Sequence, residues 1–188
     1  MVDRAGRFDD LYASDIDPWK FRSSDYERSK YDATLAALPR ERYAACIEAG
    51  CSIGELTRLL AGRCESVTGI DISHVAISEA ERRNADLPHA QFLQAELPEG
   101  WPEMSADLIV LSEILYFLTS EEIVRLADGI SRNWATPGDC ILVNYLGQIP
   151  EPLQGNDAAD CFIKAIEPMS SVRLINGNGY RIDVLMKR

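Results

Sequence analysis

Four acidic residues, each at or just past the end of a short apolar run, are the side chains of this sequence best placed to do chemistry. The first lies in Glu48-Ala49-Gly50-Cys51-Ser52-Ile53-Gly54-Glu55. A small-residue turn between a strand and a helix lets backbone approach a ligand closely, and the helix start offers free N–H groups. A G-x-G-x-x-G phosphate cradle beginning at Gly50 needs glycine at 52 and 55, where the chain has Ser52 and Glu55. An acid at 55 would face a pyrophosphate, so that register fails. The register acid-x-Gly-x-Gly-x-Gly, with serine for the middle glycine, fits Glu48, Gly50, Ser52 and Gly54. An acid ending the first strand suits a cationic ligand. Asp71 closes a second apolar run in Gly69-Ile70-Asp71-Ile72-Ser73. It stands about twenty residues past Gly50, where a carboxylate can accept from both hydroxyls of a ribose. Glu96 follows a third run in Gln94-Ala95-Glu96-Leu97, and Glu113 follows a fourth in Leu111-Ser112-Glu113-Ile114-Leu115-Tyr116.

The elements that must position these acids alternate regularly. Residues 43–48, 66–71, 90–93, 106–111 and 139–145 read as strands. The run 106–111 is nearly continuously apolar, as in a strand covered on both faces. Helices are expected at 55–61, at 73–84 behind a Ser73 cap, from Thr119 or Ser120 to about Trp134, and at 156–166. Residues 171–175 and 180–186 read as a hairpin around Asn176-Gly177-Asn178-Gly179. Repeated βα units imply a parallel sheet with right-handed crossovers, and the closing hairpin adds one antiparallel strand. Residues 1–24 are polar and aromatic with a turn at Asp17-Pro18-Trp19, and 25–38 read as an amphipathic helix stopped by Pro39. In an open α/β sheet the ligand lies beyond the carboxyl ends of the strands. That rule gathers Ser112, Glu113, Tyr116 and the end of the fifth strand, Asn144-Tyr145, on one rim.

Composition narrows the partners. The chain has 188 residues, 46% hydrophobic and 26% charged, which suits one globular domain. A formal charge of −11 opposes binding to nucleic acid or anionic lipid. The five cysteines are odd in number and form no CxxC pair, which reads as reduced thiols of a cytoplasmic protein. With only His74 and His89, a histidine-based metal site is not expected, and His74 reads as a first-turn helix residue. No apolar stretch approaches the ~20 residues of a membrane helix, and the charged start does not read as a signal peptide.

The acid–glycine turn, Asp71, Glu96 and the terminal hairpin together resemble the class I S-adenosylmethionine (SAM)-dependent methyltransferases over residues 43–188. The resemblance implies a single Rossmann-like α/β domain with a mostly parallel seven-stranded sheet, an antiparallel strand from the C-terminal hairpin, and helices on both faces. Phe8-Asp9-Asp10-Leu11-Tyr12, Asp17-Pro18-Trp19-Lys20-Phe21, Tyr26-Glu27-Arg28-Ser29-Lys30-Tyr31, the glycine turn and Glu113-Ile114-Leu115-Tyr116 further resemble the NodS-type nodulation methyltransferases. That family N-methylates the deacetylated glucosamine end of a chitooligosaccharide. An amino-sugar acceptor is therefore implied.

Residue roles follow from the resemblance. The cofactor set is Glu48, Gly50, Ser52, Gly54, Asp71, Ile72, Glu96, Leu97, Ser112 and Lys30. Asp71 takes the ribose, Glu96 the adenine amino group, the neighbouring backbone N–H the ring, and Lys30 (or Arg22) the cofactor carboxylate. Glu113 is the candidate proton acceptor or amine-orienting group, with Tyr116 and Tyr145 shaping the acceptor pocket. The chain divides into a helical cap over residues 1–40, whose aromatics would cover the cofactor, and a cofactor-binding domain over 41–188. O-methylation of another small metabolite and non-catalytic SAM binding are the alternatives. A nicotinamide-dependent oxidoreductase is disfavoured by the failed G-x-G-x-x-G register.

Overall fold

The structure is a computed structural model that describes residues 3–167, 169 and 171–188. Its strands are β1 (Tyr43–Ala49), β2 (Cys64–Asp71), β3 (Ala90–Gln94), β4 (Ala106–Ser112), β5 (Trp134–Tyr145), β6 (Ser171–Asn176) and β7 (Tyr180–Lys187). Its helices are α1 (Arg4–Ser14), α2 (Asp25–Ala37), α3 (Glu55–Ala61), α4 (His74–Arg83), α5 (Ser120–Asn133) and α6 (Gly155–Ala165), with a 3-10 turn at Leu115–Phe117. The seven strands form one sheet in the order β3-β2-β1-β4-β5-β7-β6. β7 is antiparallel to β5 and to β6, and the other pairings are parallel. The expected α/β sheet with a closing hairpin is therefore present.

The alternation of side chains along β4 explains the two layers. Leu108 and Val110 join a core with Tyr31, Leu56, Leu60 and Val67, beneath α2 and α3. Ile109 and Leu111 join the opposite core with Ile123, Leu126, Ile130 and Phe162 from α5 and α6. All four β4 residues are fully buried, as their unbroken apolar run requires. The order reverses at β1, which has β2 on one side and β4 on the other. The crevice beyond the carboxyl ends of β1 and β4 is the place where such sheets bind ligands.

Local signals place the helices. Ser73 caps α4 by accepting from the Ala76 N–H, and Thr119 with Glu122 forms a reciprocal capping box on α5. Two strand starts differ by two residues or more from the sequence reading. β2 starts at Cys64, and β5 starts at Trp134, passing through Pro137-Gly138 where a gap was expected. Ala106 pairs with Trp134 and Leu108 with Asp139, so the ladder shifts register around that proline.

The larger difference is α1: within the expected helical cap the sequence marks no separate helix before residue 25. Asp3 caps it by accepting from the Gly6 N–H, and Phe8 and Tyr12 form its buried stripe, packed with Ile53 and Ala76. An i, i+4 aromatic pair in a short charged helix is too weak a periodic signal to stand alone. Its stability comes from docking onto α4 and the glycine turn rather than from intrinsic propensity. Among the described residues, no helix is long and apolar enough to cross a membrane.

Candidate active site

A cavity of about 850 Å³ opens at the carboxyl ends of β1, β2 and β4 and is roofed by α1 and α2. That volume lies within the range of small-ligand sites. Twelve of the thirteen residues singled out from the sequence line it: Glu48, Gly50, Ser52, Asp71, Ile72, Glu96, Leu97, Ser112, Lys30, Glu113, Tyr116 and Tyr145. Gly54 does not. It caps α3 at φ 81, and a Cβ there would come within 2.5 Å of Asn84 Nδ2. Its lack of a Cβ lets α3 sit close to α4 and β3.

The glycine turn is held from below. Gly50 has φ 81, and a Cβ on it would lie 2.1 Å from Ile114 and 2.4 Å from the Ser112 carbonyl oxygen. Only glycine lets the turn after β1 sit on the turn after β4. Ser52, standing where the motif has its middle glycine, adopts φ 48. A left-handed conformation disfavours a residue with a Cβ by roughly 1–2 kcal/mol. Two hydrogen bonds offset this: the Ser52 N–H donates to Asp71 Oδ2 at 2.9 Å, and the Tyr12 hydroxyl donates to Ser52 Oγ at 2.6 Å.

The two carboxylates on this side are anchored locally. Asp71 also accepts from the Ser73 N–H at 2.9 Å through Oδ1. Burial pushes its carboxyl up to about 6, while the backbone N–H donors pull it down. Each oxygen keeps a lone pair, so Asp71 can still accept from hydroxyls. Glu48 is 1% exposed and accepts from Thr57 Oγ1 at 2.5 Å. Burial pushes it up to about 8, against the Thr57 hydrogen bond and with the help of negative Asp71. Near neutral pH its carboxyl is mostly protonated, so it is not the standing anion that its place in the motif suggests.

The other side of the cavity is anchored from far away in sequence. Glu113 has φ 57, with its N–H on the Val143 carbonyl at 2.8 Å. Its Oε2 accepts from Lys30 Nζ at 2.7 Å, and Lys30 also contacts Glu27 at 2.9 Å. Lys30 is therefore engaged by two carboxylates rather than standing free for a cofactor carboxylate. Arg22, the other candidate, pairs with Asp17 and does not line the cavity. Burial raises the hydroxyls of Tyr26 and Tyr116, and the charge of Glu113 adds to both, so these rings stay neutral. Tyr145 also lines this end and is 37% exposed.

The roof joins aromatics expected of the cap to two arginines, Arg4 and Arg7, that the sequence reading does not single out. Arg4 pairs with Glu122 and Glu96, and Arg7 pairs with Glu151. Phe8, Trp19, Phe21 and Phe117 form a chain of ring contacts along the rim. Asp9 accepts from Ser73 Oγ at 2.6 Å and lies 2.7 Å from His74 Nδ1, so His74 is the first-turn helix residue expected and anchors α1. Thr57 and Glu27 were also missed. Only the i, i+3 spacing of Glu27 and Lys30 on one helix face hinted at the latter.

A doubly wound sheet with an acid and a glycine turn after β1, an acid ending β2, and a cavity over β4 is the architecture of the class I SAM-dependent methyltransferases. Residues 8–134 match the family described as Nodulation protein S (NodS), and the chain belongs to that family. It is 31% identical over 123 residues to nodulation protein S of Rhizobium tropici, covering 65% of this chain and 52% of that protein. It is also 36% identical over 163 residues to a trans-aconitate 2-methyltransferase of Shigella flexneri, covering 76% of this chain and 64% of that one. The chain spans about half the length of the nodulation relatives it matches. Among solved structures, the N-methyltransferase NodS of Bradyrhizobium japonicum WM9, in complex with S-adenosyl-L-homocysteine (SAH), superposes with a TM-score of 0.82 at 18% identity. The match covers 98% of this chain and 99% of that one. A methyltransferase described as putative, from Pseudomonas syringae, superposes at 0.76 with 34% identity, covering 86% of this chain and 99% of that chain.

Proposed function

We propose that this chain transfers a methyl group from SAM to the nitrogen of a small amine, with an amino sugar such as a deacetylated chitooligosaccharide end as the acceptor. The observation that carries the reading is the charge of the cavity wall. Seven acidic side chains line it, one of them (Glu48) mostly protonated near neutral pH, against three cations, Arg4, Arg7 and Lys30. Each of these cations is already paired with at least one carboxylate. Among the described lining residues none is left to receive an acceptor carboxylate, whereas Glu113 Oε1 is buried without a hydrogen-bond partner. A relative named for trans-aconitate makes a polycarboxylate the natural competitor. This wall disfavours it by like charge.

The residues present fit SAM. Asp71 keeps acceptor capacity for ribose hydroxyls. The half-buried Ile72 and the buried Leu97 offer apolar surface to an adenine ring, and Glu96, paired weakly with Arg4 at 3.6 Å, can accept from its amino group. When bound, SAM supplies a methyl carbon on a sulfonium, and the C–S electrons stay with sulfur as the acceptor nitrogen takes that carbon. Glu113 Oε1 accepts a hydrogen bond from the acceptor nitrogen, orients its lone pair and receives the proton that nitrogen sheds. Holding the partners in line is worth several kcal/mol without further chemistry. Tyr116 and Tyr145 bound the acceptor, and the described part of the expected 1–40 cap, residues 3–40, covers the site and keeps water out.

The test is methyl transfer from labelled SAM to glucosamine and its short deacetylated oligomers, with trans-aconitate in parallel and the methylated atom located by mass spectrometry. Label on nitrogen of the amino sugar is expected. Label only on the acid would overturn the amine reading, and SAH binding with no transfer to any acceptor would favour a non-catalytic SAM-binding module.

A further inference from the structure

One buried pair is not used by the transfer described above. Lys30 is 1% exposed and Glu27 6%. A lysine this far from water keeps its charge only beside close anions. Two are present: Glu113 Oε2 at 2.7 Å and Glu27 Oε2 at 2.9 Å. The Lys30 carbonyl in turn accepts from Thr34 Oγ1 at 2.8 Å, which fixes the turn of α2 that carries it. Glu113 has its other oxygen orphaned and its backbone in the left-handed region. An unmade buried hydrogen bond costs stability, and backbone strain adds to that cost. Both costs fall on one residue at the cavity wall, and among the described residues its only charged contact within ion-pair distance is Lys30.

We propose that Lys30, balanced by Glu27, is the positioning residue for Glu113: it grips one carboxylate oxygen so that the other stays free and aimed at the acceptor amine. The inference rests on the reading that Glu113 meets the acceptor. Lys30 itself touches neither acceptor nor cofactor. Glu27 keeps the trio at a net single negative charge, which attracts an ammonium on entry, whereas Lys30 and Glu113 alone would be neutral.

The charged groups around Glu113 are few. From α2 it is faced by Glu27 and Lys30, and by the neutral hydroxyls of Tyr26 and Tyr31. The 3-10 turn adds Tyr116, with Glu151 beyond it engaged by Arg7. β5 adds Tyr145 next to Tyr26. Removing Lys30 therefore leaves the like charges of Glu27 and Glu113 facing each other with no cation between them.

The test follows the Glu113 carboxyl carbon by 13C NMR through a pH titration of the whole chain, assigned with Glu113→Gln, and needs no acceptor. Lys30→Met is expected to raise the Glu113 midpoint by at least about one pH unit, because a cation is lost and a like charge remains. Adding Glu27→Gln should bring part of that shift back, and this double variant also serves if the single one does not fold. Lys30→Arg should stay within about half a unit of the wild type. SAH affinity, measured calorimetrically, should change less than threefold in all of them. An unmoved midpoint in Lys30→Met, or in Lys30→Met/Glu27→Gln if only that variant folds, overturns the proposal. So does loss of SAH binding, which would return Lys30 to the cofactor carboxylate. Failure of the amine assay leaves this titration readable, so the two readings fail separately.

Discussion

Asp71 and Glu113 end neighbouring arms of the same cavity, yet they are held in opposite ways. Asp71 takes backbone N–H groups from Ser52 and Ser73, nineteen and two residues away in sequence. Glu113 is held by the side chain of Lys30, eighty-three residues away, and keeps one oxygen unpaired. Backbone donors make a carboxylate rigid and tolerant of its surroundings, because the fold itself supplies them. A side-chain grip is selective and fragile, because a single substitution removes it. The contrast suits the two proposed tasks: one site binds an invariant cofactor, and the other discriminates among acceptors.

The largest expected effect breaks the comparison into its halves. Glu113→Gln should lower kcat for the amino sugar by about 10²–10³-fold and leave SAH affinity within about threefold. Asp71→Ala should do the reverse at the level of binding, weakening SAH by about a hundredfold or more as charge-assisted acceptors are lost. Calorimetry and initial rates on the same two variants check this. If Glu113→Gln abolishes SAH binding, the division of the cavity is wrong.

Gly50 lies between the halves, and its substitution should damage both. Gly50→Ala forces a Cβ against Ile114 and the Ser112 carbonyl from a left-handed backbone. Loss of about 2–4 kcal/mol of stability is expected in denaturant unfolding, from strain plus overpacking. A compensating Ile114→Ala should recover only part of it, because the Ser112 contact is with backbone.

This contrast also explains what could be read in advance. The seven strands, the glycine turn, Asp71 and the Ser73 cap all follow from local spacing, because their partners lie within one βα unit. Even there, burial overrode the motif: an acid ending the first strand reads as an anion, but at Glu48 the lack of solvent raises the carboxyl to about 8. Gly54, the last glycine of the motif, does not line the cavity, and a Cβ there would clash with Asn84. On the acceptor side, Glu113 and the tyrosines could be placed on the rim from the strand-end rule. The engagement of Lys30 by Glu27 and Glu113 could not, since no local pattern encodes a contact between α2 and the turn after β4. α1 escaped notice for the same reason: its helix is specified by the surface on which it docks.

The raised carboxyls of Glu48 and Asp71 predict a pH dependence of stability. Glu48 rises from 4.5 to about 8 and Asp71 from 3.8 to about 6 on folding. A carboxyl raised in the folded state binds more protons there than when unfolded. Its penalty is absent below the unfolded value and grows until pH passes the folded value. Each group therefore lowers stability by up to about 1.4 kcal/mol per pH unit, Asp71 between pH 4 and 6 and Glu48 between 4.5 and 8. Glu48→Gln should flatten the fall in melting temperature between pH 6 and 8, where Asp71 no longer contributes. An unchanged slope in that variant would show that Glu48 is charged in the folded protein.

The smallest effect joins the two regions. The Tyr12 hydroxyl, carried by the roof, donates to Ser52 Oγ in the strained glycine turn. Burial pushes that hydroxyl well above its ordinary value, so it remains a donor at any working pH. Tyr12→Phe keeps the ring packed beside Ile53 and Trp19 and removes only this bond. About 1 kcal/mol is at stake, which corresponds to a three- to tenfold loss of SAH affinity if α1 helps hold the turn in its binding shape. The kcat at saturating SAM should be unchanged, because Glu113 and Lys30 do not touch Tyr12. A fall in kcat with SAH affinity intact would mean that the roof acts through the acceptor side, and that the two anchoring schemes are coupled rather than independent.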